Sequence, residues 1–158
     1  MAAFKKILFP IDLSEVSAQI IPAVTTMAAT FQSELHLLFV ARIFRYYDTI
    51  YVPPVSIVEF EEKIVQGAER RLNEFVEEHL KDCSVALARV VPGDPAEEIL
   101  KYIDAEGIDL VIMGTHGRKG LDRILFGSVA AHVVTRSPVP VMTVNPHRKQ
   151  RKEPAYSS

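Results

Sequence analysis

Five short apolar runs separated by helix-patterned stretches constrain this chain more than any other feature. The runs cover residues 7–11, 34–41, 84–91, 109–113 and 139–144. Runs of this length, bounded by charge, proline or glycine, read as buried strands. The stretches between them carry apolar residues at spacings of three and four, which is helical patterning. The resulting order, β-α-β-α-β-α-β-α-β, predicts an α/β fold with a parallel sheet covered by helices on both faces. In such sheets ligands bind beyond the strand C-terminal ends, where strand order reverses.

At 158 residues the length fits one domain with a sizeable core. We assign it to residues 1–146, with a polar, basic tail at 147–158 that is expected to be disordered. The net charge is −2, from 18 basic and 20 acidic residues, which gives no electrostatic case for general nucleic-acid binding. Cys83 is the only cysteine, so neither an internal disulfide nor a cysteine-based zinc site is expected. No signal peptide is read at the N-terminus, and no run reaches the roughly 18 apolar residues of a membrane span. The expectation is a cytoplasmic protein.

Helix starts and stops are legible along the chain. Asp12 or Ser14 can cap a first helix running to about Phe31, with Ile20, Val24, Met27 and Ala28 facing inward. Pro22 must kink that helix or mark a later start. His36, inside the second strand, reads as a strand-edge or hydrogen-bonded residue. Residues 42–56 read as irregular, stopped by Pro53-Pro54; the Tyr46, Tyr47 and Tyr51 cluster either covers the core or forms a lid or partner surface. Residues 57–81 form an amphipathic helix whose inner face includes Ile57, Phe60, Ile64, Ala68, Leu72, Phe75, Val76 and Leu80. Its charge runs, Glu69-Arg70-Arg71 among them, read as a solvated face. Asp94-Pro95 opens a further helix that Gly107 stops. Residues 121–126 suggest a helical turn, and Ser128 to Arg136 the last helix.

The stretch DLVIMGTHGRKGLDRILFGSV, residues 109–129, holds the chemistry. A buried strand runs into Gly114 and Gly117, and Gly127-Ser128 then opens a helix. Glycines let backbone approach a ligand closely. The amides of Gly127, Ser128 and Val129 stand at a helix start, where they can donate to phosphate oxygens and the helix dipole favours negative charge. The Ser128 hydroxyl can add a donor or sit near a phosphate-bound Mg²⁺. Arg118, Lys119 and Arg123 make the loop locally positive. If the first and fourth strands are neighbours at the reversal, Asp12 faces this loop. Ionised Asp12 is acceptor-only, suited to ribose hydroxyls or an adenine amino group. Val40 offers backbone groups and an apolar surface to a base. No GxxxxGK(S/T) occurs, so a P-loop is excluded. The turn from Pro10 to Ser14 lacks glycine, which disfavours a dinucleotide fingerprint.

On these residues the chain resembles the universal stress proteins. Gly114-x2-Gly117-x9-Gly127-Ser128 matches that family's ATP-binding pattern, and the likeness spans residues 3–145. It includes GTHGRKGL, FGSVAAHVV and the closing SPVPVMTV. The resemblance implies a five-stranded open sheet of order 3-2-1-4-5. It implies ATP held by residues matching Pro10, Asp12, Val40, Met113, Gly114, Gly117, Gly127, Ser128 and Val129. Their neighbours Ile11, Thr115, His116, Arg118 and Ala130 complete the candidate set. It further implies homodimerisation by antiparallel pairing of Val139 to Val144, an apolar edge strand.

No convincing catalytic set is present. His116 reads as a loop residue and His132 as a helix-surface residue. The leading expectation is an ATP-binding regulatory protein that signals through a partner or through dimerisation, without nucleic acid or membrane. The alternatives are a slow Mg²⁺-dependent ATPase assisted by Asp12 or His116, and a nucleotide-independent interaction or chaperone-like dimer.

Overall fold

In the computed structural model, which describes residues 4–42, 54–115 and 127–146, β1 spans Lys6–Ile11 and lies at the centre of the sheet. The short helix α1, Glu15–Gln19, follows, then α2, Ile21–Phe31, and β2, Glu34–Ala41. Helix α3 spans Pro54–His79 and leads to β3, Val85–Pro92. Helix α4, Pro95–Glu106, then β4, Leu110–Gly114, α5, Ser128–Arg136, and β5, Val141–Val144, complete the order. The sheet order is β3-β2-β1-β4-β5 and every neighbouring pair is parallel. The candidate turn at 121–126, the aromatic stretch at 43–53 and the tail beyond 146 lie outside the described residues.

Alternating side chains divide the core between two faces. Ile7, Phe9 and Ile11 pack with α2 and with Ala68, Leu72 and Phe75 of α3. Leu8, Leu38, Val40, Val111 and Met113 pack with Ile99 and Ile103 of α4 and with Ala130 and Val133 of α5. Ile7, Leu8, Phe9, Leu37, Leu38, Val111 and Ile112 are wholly buried. At about 1.5–3 kcal/mol for each fully buried large side chain, these strands carry much of the apolar driving force.

Prolines explain where the sequence reading was inexact. Pro22 sits in the first turn of α2, so it marks a later start, and Ile20 joins two separate helices. Met27 and Ala28 are partly rather than fully buried. Pro54 begins α3 instead of ending the irregular stretch, because its fixed φ and missing N–H suit a first helical position. Phe60, expected on the inner face of α3, is 52% exposed. The last strand starts at Val141 rather than Val139, after Pro140. The predicted cap at Asp94 accepts from the Glu97 amide at 3.1 Å, and Gly107 ends α4 at φ 65°.

His36 is on an inner strand and only 4% exposed. Its Nδ1 is hydrogen-bonded to the Tyr102 hydroxyl at 2.8 Å, so the hydrogen-bonded reading holds and the strand-edge one does not. Burial pushes the Tyr102 phenol up; the nearby Glu106 carboxylate adds to this and the Arg89 guanidinium opposes it. Folding therefore favours the protonated phenol. Its contribution is complete below the ordinary tyrosine pKa of about 10 and is lost as pH rises through the raised folded value. Tyr102→Phe leaves the His36 ring nitrogen unpaired. We expect a loss of about 1–3 kcal/mol, read as a lower urea midpoint with an unchanged slope.

Candidate functional site

The pairing of β1 opens toward its C-terminal end on one side. Its ladder with β2 runs from Lys6 through Ile11, but its register with β4 covers only Ile7–Leu110 and Leu8–Val111. Pro10 has no N–H to offer a neighbouring strand. β2 and β4 lie on opposite sides of β1, which is the order reversal. A cavity of about 710 Å³ opens at that point. It is lined by Pro10, Ile11 and Asp12 from β1 and its turn, Val40 from β2, Met113, Gly114 and Thr115 from β4, and Gly127 to Ala130. The structure thus brings together every described member of the candidate set. His116, Gly117 and Arg118 lie outside the described residues, as do Lys119 and Arg123.

Backbone donors form one wall of the cavity. The Gly127 amide donates to the Thr115 carbonyl at 2.7 Å. It is therefore committed to the residue that follows β4, which corrects its expected place among the phosphate donors. The first backbone bond into α5 is from the Ala131 amide to the Gly127 carbonyl, at 3.0 Å. Among the described residues the amides of Ser128, Val129 and Ala130 have no acceptor. Three adjacent N–H groups at the positive end of a nine-residue helix suit a phosphate group. Gly127 itself has φ −59° and ψ 149°, which any residue can adopt. Its value to the site is the absence of a side chain.

Asp12 forms the opposite wall through a built turn. Its Oδ1 accepts from the Ser14 amide at 3.0 Å, the Ser14 hydroxyl at 2.5 Å and the Ser17 hydroxyl at 2.6 Å. Ser17 returns a bond, its Oγ accepting from the Asp12 amide at 3.2 Å. Ser14 also caps α1, its Oγ accepting from the Ser17 amide at 3.4 Å. These bonds hold Leu13 at φ 61°, an uncommon state for a residue with a branched side chain. The second carboxylate oxygen, Oδ2, makes no hydrogen bond among the described residues. One oxygen orients the carboxylate and the other is left for a ligand donor.

The cavity also draws on residues the sequence reading passed over. Ser17 is 7% exposed and braces Asp12; the Asp-x-Ser-x-x-Ser spacing, which favours local side-chain turns, was the available signal. Arg71, read as part of a solvated charge run, is exposed but lines the cavity, as does Arg42 just beyond β2. His132 does not line the cavity, and it is not a plain surface residue: it is partly buried, and its Nε2 is buried without a partner among the described residues. No group of three or more His, Cys, Asp or Glu residues able to hold a metal occurs among the described residues. Among them, too, no helix is long and apolar enough to cross a membrane.

Sheet order, switch-point cavity and helix start together define a doubly wound α/β protein with an anion-ready site. A family model described as the universal stress protein family matches residues 3–145. Universal stress protein MJ0577 of Methanocaldococcus jannaschii is 32% identical over 154 residues, covering 89% of this chain and 94% of that protein. A solved structure of MJ0577 superposes with a TM-score of 0.76, covering 94% of this chain and 99% of that one. The chain belongs to the universal stress protein family. Two more distant structures share its fold. One is a universal stress protein in complex with cAMP, 22% identical, with a TM-score of 0.57 over 92% of this chain and 99% of that one. The other is the universal stress protein from Archaeoglobus fulgidus in complex with dAMP, 16% identical, with a TM-score of 0.60 over 90% of this chain and 98% of that one.

Proposed function

We propose that this chain binds an adenine nucleotide, ATP foremost, and acts as a nucleotide-responsive regulatory protein rather than a turnover enzyme. The observation that carries the reading is the set of amides at Ser128, Val129 and Ala130, which have no acceptor among the described residues and open on the same cavity as Asp12. These amides would take phosphate oxygens, with the Ser128 hydroxyl beside them. Asp12 Oδ2 would accept from the ribose or the adenine amino group. Val40 and Met113, both largely buried, would give the base an apolar wall. A cavity of about 710 Å³ is of a size to enclose a mononucleotide. Family members described with cAMP and dAMP support an adenine nucleotide as the ligand class.

Among the described residues that line the cavity no base and nucleophile pair is evident, and signalling is therefore favoured over hydrolysis. The nucleotide would tie the start of α5 to the turn after β1, and a partner or a second copy would read that state. Dimerisation through β5 is supported by its place at the sheet edge, where its apolar residues are only partly covered. The test is ATP binding and turnover measured on one preparation with Mg²⁺ present. We expect saturable binding near one nucleotide per chain and no sustained turnover. Many cycles per minute, lost on Asp12→Ala, would instead assign a hydrolase.

A further inference from the structure

Helix α3 carries a second, smaller groove outside the nucleotide cavity. Val58, Glu62, Val65 and Glu69 follow one another at steps of four, three and four, with Glu61 beside them, so all five share one face of the helix. Pro92, the last residue of edge strand β3, lines the same groove, whose volume is about 370 Å³. Its apolar lining is Val58, which is 53% exposed, with Val65 and Pro92. Its charged lining is Glu61, Glu62 and Glu69, and among the described residues no basic side chain faces it. None of the three carboxylates has a cation within 4.0 Å among those residues. Apolar surface beside unpaired carboxylates suits lysine and arginine, which lay an apolar stem on such a surface and keep a charged head at its border.

The chain itself carries a segment of that chemistry. Residues 147–152, His-Arg-Lys-Gln-Arg-Lys, hold four cations and no acid. They lie outside the described residues, which end at Pro146 just past β5. β3 and β5 are the two edges of a wholly parallel sheet, so their C-terminal ends lie at the same end of it, four strand spacings apart. At about 4.8 Å per spacing the span is about 19 Å. At about 3.3 Å per residue, an extended chain from Asn145 to Lys152 reaches about 26 Å. The surplus of about 7 Å, with the length of the side chains, covers the rise from the sheet onto α3. Arg151 and Lys152 therefore reach the groove, whereas Arg148 and Lys149 fall short of it. Exposed ion pairs are individually weak. Tethering presents the tail at an effective concentration of about millimolar, so contacts that would barely hold a free peptide can hold this one.

We propose that residues 147–152 dock in cis on this groove, with the stems of Arg151 and Lys152 on Val58, Val65 and Pro92 and their charged heads on Glu61, Glu62 and Glu69. So held, the tail passes the C-terminal ends of β4, β1 and β2, the edge on which the nucleotide cavity opens.

Trypsin cuts after lysine and arginine, so its rate at residues 148–152 of the full-length chain reads the docking. At low salt we expect the tail of E61Q/E62Q/E69Q to be cut at least about threefold faster than that of the wild type. The gap should close in high salt, which screens exposed charges. E74Q/E77Q/E78Q, the same change of charge further along α3, should match the wild type. These glutamates are exposed or half-buried, so the fold should survive; unchanged melting temperatures check this. Carbodiimide coupling, which joins an amine to a carboxylate in contact with it, should link Lys152 to Glu61, Glu62 or Glu69. In a mixture of isotopically light and heavy chains, both halves of the linked peptides should carry one label. Equal tail cleavage in the wild type and the groove variant overturns the proposal. So does equal acceleration in the control variant, which would be a general effect of charge. Linked peptides of mixed label would give the groove to the tail of a second copy, and absence of the link would take the tail off it; either overturns docking in cis.

Discussion

Gly127→Val is expected to weaken ATP binding by about 100-fold while the protein stays folded. The backbone at Gly127, at φ −59° and ψ 149°, lies where β-branched residues are at ease. Among the described residues a Cβ there meets only the Thr115 carbonyl oxygen, at an ordinary 3.5 Å. The added methyl groups would extend into the cavity that Gly127 lines, beside the Ser128 and Val129 amides. A phosphate held off by one carbon diameter loses about two charge-assisted hydrogen bonds, at about 1.5 kcal/mol each. Together these approach 3 kcal/mol, or about 100-fold. Calorimetric titration reads the affinity and circular dichroism the fold. ATP bound at wild-type affinity by the valine variant would mean that the phosphates lie elsewhere.

Asp12→Ala has the second large effect, and it acts on stability and binding together. The substitution removes the acceptor for the Ser14 amide and for the Ser14 and Ser17 hydroxyls. It leaves Leu13 in its left-handed state without those bonds. We expect a loss of about 1–3 kcal/mol in urea unfolding, with more than about tenfold weaker ATP binding. Asp12→Asn separates the two roles. Its carbonyl oxygen can keep the bonds from Ser14 and Ser17, so most of the stability should remain. Its amide nitrogen replaces the free acceptor Oδ2 with a donor, so the binding loss should persist. An asparagine variant that binds ATP normally would remove Asp12 from direct contact with the ligand.

The sheet was legible because burial on both faces demands continuous apolar strands, and the runs at 34–41 and 109–113 admit few other readings. The start of α4 was legible because Asp94, Pro95, Glu97 and Glu98 all favour the same local structure. Pro54 misled because proline serves equally as a stop and as a first helical residue, and only the chain beyond it decides. The committed Gly127 amide was hidden for a different reason. Its acceptor, the Thr115 carbonyl, is brought close by the fold rather than by helical spacing. Arg71 was hidden because a charge run on one helix looks the same whether it faces open water or a cavity built by β1 and β2. Local signals thus placed the elements and the start of the last helix at Ser128. Contacts across the strand ends decided which groups remained free for a ligand.

Direct recovery of bound nucleotide tests the central claim. The protein is purified without denaturant, heated, and its supernatant resolved by anion-exchange chromatography with absorbance at 260 nm; the chain lacks Trp, which keeps its own absorbance low. A preparation stripped of ligand and then incubated with ATP is carried in parallel and separated from free nucleotide before heating. The structure predicts adenine nucleotide released at close to one per chain from the reloaded protein, and almost none from Gly127→Val. Folded wild-type protein that retains no adenine nucleotide after loading would contradict the account.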